Sequence, residues 1–134
     1  MAMNDADVEP LKQRIMALFA LWQPRLGLSH WDIIYTWKRE KKASDEGTIM
    51  TVITSWEYQK ADVWLYLPTC AEQEEVGQLE NAVVHELCHI LVAMMSVGER
   101  FEDTPLDVLK DKLEELTVTH LARVLQTAYS VTLF

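Results

Sequence analysis

At 134 residues, 49% hydrophobic and with five tryptophans, the chain holds enough apolar material for one domain whose core needs no disulfide support, which excludes a disordered polymer. Its formal net charge of −9, from 21 acidic against 12 basic residues, argues against broad binding to a nucleic-acid backbone. The polar, acidic start Met-Ala-Met-Asn-Asp-Ala-Asp is unlike a signal or transit sequence, no apolar run nears the ~20 residues of a bilayer span, and two cysteines, Cys70 and Cys88, fit a reducing cytoplasm.

A first helix is expected from about Val8 to Trp22, because Leu11, Ile15, Leu18, Phe19 and Trp22 recur at three- and four-residue steps; Pro24 and Gly27 then close it. A strand follows at about His30 to Arg39, where Trp31, Ile33, Tyr35 and Trp37 alternate with His30, Asp32, Ile34, Thr36 and Lys38. The basic cluster Lys38-Arg39-Glu40-Lys41-Lys42 and the turn Ser44-Asp45-Glu46-Gly47 read as a solvated connection. Ile49, Thr51, Val52, Ile53 and Thr54 favour a second strand at about Gly47 to Trp56. A third, at about Lys60 to Leu67, alternates Ala61, Val63, Leu65 and Leu67 with Asp62, Trp64 and Tyr66, and Pro68 ends it. An uninterrupted helix from about Glu75 to Val97 comes next, with Gly98 as its C-terminal cap. After the loop from Gly98 to Pro105, a last helix spans about Leu106 to Tyr129, with Val118, Leu121, Ala122, Leu125 and Ala128 as its apolar stripe. The expected fold is α+β, a single domain with its core at about residues 8–129. Its order is α-β-β-β-α-α, with a three-stranded mixed or antiparallel sheet packed on the penultimate helix.

That helix carries the most informative pattern in the chain, His85-Glu86-Leu87-Cys88-His89. Residues i and i+4 stand one above the other on a helix face, so two imidazoles at this spacing can aim a ring nitrogen at one Zn²⁺. Glu86 then lies on the same wall, where a carboxylate can take a proton from metal-activated water and pass it to a leaving amine. The bland alternative is a buried helix whose histidines are satisfied by hydrogen bonds. Ala82 to Val97 is apolar around both histidines, with Glu86 its one charged residue, as a site helix inside a fold requires.

A catalytic zinc takes three protein ligands, so a third must lie elsewhere. Met95 stands where the metzincin pattern needs its third histidine, and Val92 where it needs glycine. The downstream candidates are Glu99, Glu102, Asp103, Asp107, Asp111, Glu114, Glu115 and His120. Glu114 falls near the middle of the last helix's apolar stripe and Glu115 at its edge, whereas His120 falls on the opposite side. A carboxylate amid apolar residues is costly unless paired or coordinated, which leaves Glu114 and Glu115 open.

With its HExxH run from Ala82 to Leu91 and a glutamate on a late helix, the chain resembles the gluzincin zinc peptidases, most closely the minigluzincins and phage-type relatives. In gluzincins and the ImmA/IrrE peptidases the ligand glutamate is followed by two variable residues, a small one, Asp or Asn, another variable residue, an apolar one, then Ala or Gly. Glu115-Leu-Thr-Val118-Thr119-His120-Leu121-Ala122 matches with Glu115 as ligand, while Thr119 replaces the Asp or Asn that hydrogen-bonds a ligand histidine. The resemblance implies a zinc-dependent peptidase with metal on His85, His89 and Glu115 (Glu114 the alternative) and Glu86 as general base and acid. It also implies a peptide or protein substrate extended along an edge strand at about Ala61 to Leu67, where Trp64 and Tyr66 either line the cleft or pack into the core. No nucleic acid or membrane partner is expected. Three rivals are an inactive zincin-fold binding or virion-associated module, a SprT-like protease acting on DNA-bound proteins, and an ImmA-like regulator. The apolar tail Ser130 to Phe134 suggests latency by folding back on the cleft.

Overall fold

A computed structural model describes residues 3–93 and 105–132 of the chain. The elements are α1 (Asp5–Arg25), β1 (Asp32–Lys38), β2 (Met50–Ser55), β3 (Lys60–Tyr66), α2 (Leu67–Glu75), α3 (Leu79–Ala93) and α4 (Pro105–Thr132), with one 3₁₀ turn at Trp56–Tyr58. This is the expected α+β domain with a mixed three-stranded sheet, enlarged by one helix.

Asn4 caps α1 by accepting the Asp7 backbone N–H, and Asp5 and Asp7 place negative charge at the positive end of the helix. The helix outlasts Pro24 and ends at Gly27, whose φ of 71° is left-handed. There the N–H groups of Gly27 and Leu28 bond back to the carbonyls of Pro24 and Gln23, satisfying the last free acceptors of the helix. Val8, Leu11, Ile15, Phe19 and Trp22 form its buried stripe.

The strands stand in the order β1-β3-β2. β3 runs parallel to β1, with Asp32 opposite Lys60 and Lys38 opposite Tyr66, and antiparallel to β2, with Met50 opposite Leu65 and Ser55 opposite Lys60. The expectation that Ala61 to Leu67 forms an edge strand is therefore corrected: β3 is central, and both its rows of backbone groups are spent on neighbours. Ala61, Val63 and Leu65 are buried with the inward residues of α1 and α3. The other face of the sheet carries Asp62, Trp64, Ile34 and Ile53, all exposed. Trp64 thus lies on the sheet face away from the core, with the Lys38 ammonium 4.8 Å above its ring, and Tyr66 on the same side is buried. Neither faces a cleft over α3, because strand alternation sends them the opposite way from Val63 and Leu65.

The second correction concerns the stretch before the motif. Pro68 does end β3, but from within the first turn of a new helix, α2, where its missing N–H costs nothing. The expected unbroken helix from Glu75 is interrupted by Gly77, with φ 72°. The N–H groups of Gly77 and Gln78 close on the carbonyls of Glu74 and Gln73, and the Gln78 carbonyl then accepts the Ala82 N–H to start α3. The expected end of the motif helix at Val97 and Gly98 lies outside the described residues.

The basic cluster after β1 is more engaged than a solvated turn: Arg39 pairs with Asp5 of α1, and Lys41 with Glu72 of α2 at 2.6 Å. Arg14 of α1 grips Glu74 of α2 through two nitrogens, at 2.5 and 2.7 Å. At the far end, the Tyr129 hydroxyl of α4 donates to the Arg25 carbonyl of α1 at 3.1 Å, while the Arg25 guanidinium stands over both the Trp22 and Tyr129 rings, at 4.9 and 4.7 Å, which themselves meet edge to face at 5.3 Å.

Candidate metal centre

Helix α3 has its apolar surface fixed first. Val83, Val84, Leu87, Cys88 and Ile90 are all fully buried, so the helix can rotate in only one way. It packs on α1, α2, β2 and α4. His85 and His89, four residues apart, consequently share the wall facing α4, with ring centroids 5.0 Å apart at 67° and side chains 22% and 18% exposed. On α4 the buried anchors are Val118 and Ala122. Glu114 and Glu115 lie one turn before Val118, so the same packing brings both carboxylates to the histidines.

The two glutamates take different places. Glu115 Oε1 is 2.7 Å from His85 Nε2, and its Oε2 is 3.1 Å from His89 Nε2. Glu114 Oε1 is 3.2 Å from the other nitrogen of His89, Nδ1. Ligand atoms of His85, His89 and Glu115 all lie within 4.8 Å of one another and could hold a metal ion. Atoms bound to one tetrahedral zinc at about 2.0–2.1 Å stand about 3.3 Å apart, so the two Glu115 contacts fall just inside that spacing. Two imidazoles with a carboxylate also form the mixed nitrogen and oxygen donor set that Zn²⁺ accepts.

Burial disfavours the charged forms of His85 and Glu86 alike. Burial holds the His85 pKa below its ordinary value, outweighing the opposing effect of Glu115, with His89 pushing the same way as burial. A neutral His85 keeps a lone pair for a metal, which an imidazolium lacks. Burial, and secondarily the charge of Glu115, push the Glu86 carboxyl up to about 8. Burial raises the Cys70 thiol of α2 to about 12, with a smaller contribution from the charge of Glu86.

Of the other sequence candidates, His120 is exposed on α4 and stands apart from the group. Glu99, Glu102 and Asp103, the side chains of Asp107 and Asp111, and those of the tail from Ser130 lie outside the described residues. Sequence reasoning treated Glu114 and Glu115 as competitors for one role. Their adjacency was the available signal for two, since neighbours 100° apart on a helix reach different sides of one imidazole. Compared with family models, curated proteins and solved structures, the chain matches none.

Proposed function

We propose that this chain is a zinc-dependent peptidase, with His85, His89 and Glu115 holding the metal and Glu86 moving the proton. The observation that supports it most is the convergence of three ligand atoms from two helices within 4.8 Å, on the residues that the gluzincin resemblance singles out. A bound Zn²⁺ would supply polarisation of the scissile carbonyl and activation of the attacking water. Glu86 would be the residue to take a proton from the attacking water and return it to the departing amine. Burial raises the Glu86 carboxyl to about 8, and a cation bound beside it would draw it toward the ionised form that a base requires.

With β3 enclosed, strand addition of a peptide falls to β2. Its inner edge pairs with β3, its outer edge pairs with no other strand among the described residues, and α3 packs against it. Backbone pairing there tolerates many sequences, so the substrate class is an extended peptide segment. No helix among the described residues is long and apolar enough to cross a membrane, and two free buried cysteines suit a reducing, cytoplasmic setting.

The test combines metal analysis with peptide-library cleavage for the wild type, Glu86→Gln and Glu115→Gln. About one zinc per chain is expected in the wild type and in Glu86→Gln, and strongly reduced zinc in Glu115→Gln. Cleavage is expected in the wild type alone, abolished by a chelator and restored by Zn²⁺. Zinc without cleavage would replace the peptidase reading with that of an inert binding module, and a wild type free of zinc would remove both.

A further inference from the structure

Resting on the metal reading above, we infer that Glu114 is a positioning residue for the site, fixing the ring of His89 so that Nε2 faces the metal. Both nitrogens of His89 face carboxylates, Nδ1 toward Glu114 at 3.2 Å and Nε2 toward Glu115 at 3.1 Å. An imidazolium could donate to both, but the neutral ring that a metal requires carries one N–H and can satisfy only one of them. The other nitrogen then turns a lone pair toward a carboxylate, an arrangement that a cation between them relieves. Glu114 and Glu115 divide the ring accordingly: Nδ1–H donates to Glu114, and the Nε2 lone pair shares a metal with Glu115.

Exposure separates the two glutamates in the same sense. The Glu114 side chain is 27% exposed and Glu115 56%, so Glu114 acts from the drier side, where a hydrogen bond to a charged acceptor is worth more. Such a carboxylate fixes the tautomer and orientation of its imidazole and raises its basicity toward the metal. Thr119, which replaces the acidic or amide residue of the gluzincin pattern, is thereby relieved of that duty: the chain supplies the anionic partner from the position just before the ligand.

Zinc affinity, measured by competition with a chromophoric chelator, is compared among the wild type, Glu114→Ala, Glu114→Leu and Glu114→Gln. Imidazole N–H resonances of the zinc-loaded proteins are recorded alongside. Loss of the acceptor in the Ala and Leu variants is expected to weaken zinc roughly 10- to 100-fold, and to remove the slowly exchanging His89 Nδ1–H signal. Glu114→Gln, whose amide oxygen still accepts, is expected to recover most of the affinity and the signal. Leu preserves side-chain bulk should Ala fail to fold. Wild-type affinity and an intact Nδ1–H signal in the Ala or Leu variant would overturn Glu114 as positioning residue while leaving the metal site standing. A Gln variant no tighter than Ala would do the same. A wild type that binds no zinc would overturn the metal reading and this inference together.

Discussion

At the scale of single residues, the informative pairs are those whose partner lies far away in sequence. His85 and His89 declare their common face through spacing alone, because helix geometry is local. Their carboxylate partners come from α4, and the choice between Glu114 and Glu115 depends on the rotation of that helix to within one residue. Periodicity cannot resolve that angle; the burial of Val118 and Ala122 sets it. Arg14 and Glu74, sixty residues apart, were equally invisible. Their hydrogen bond holds the Glu74 carboxyl below its ordinary value. A carboxyl lowered on folding stabilises the fold above its unfolded pKa of about 4.5 and loses that contribution as pH falls through its lower folded value. Both side chains are substantially exposed, so Glu74→Gln should cost less than about 1 kcal/mol at pH 7. Urea titrations at pH 7 and pH 3 should show the wild-type advantage shrinking in acid.

At the scale of elements, alternation and three-to-four-residue periodicity made α1, the three strands and α4 legible to within a few residues. The short helix α2 was not, because Pro68 is equally good as the end of a strand and the opening of a helix. Nor was the break before α3, which turns on one glycine amid residues that would all continue a helix. A Cβ at Gly77 would meet nothing within 4 Å, so replacing it strains only the backbone. Gly77→Ala should therefore destabilise by about 1–2 kcal/mol, the cost of holding a Cβ-bearing residue in the left-handed region. Gly77→Asn should cost less. Thermal denaturation of the three proteins checks the order, and equal melting temperatures would show that the α2–α3 corner does not need the left-handed turn.

At the scale of the molecule, the alternation of β3 revealed which of its residues face inward but not which strands lie beside it. Strand order is a product of non-local pairing, and it leaves β1 and β2, not β3, at the edges of the sheet. The clasp of Tyr129 on Arg25 and Trp22 joins residues 104 positions apart. It ties the last helix to the first, and that last helix carries Glu114 and Glu115. The histidines can take their places as soon as α3 forms, whereas the glutamates arrive only when α4 docks on α3, closing a separation of 25 residues between His89 and Glu114. The candidate metal site is thus assembled by the docking of α4 on α3 rather than by α3 alone. In stopped-flow refolding with a zinc-sensitive dye, metal capture should coincide with the docking of α4, not with the formation of α3, and Tyr129→Ala, which loosens the far end of α4, should slow it. Zinc would then act as a latch, binding tightly only to chains in which α4 has already docked on α3.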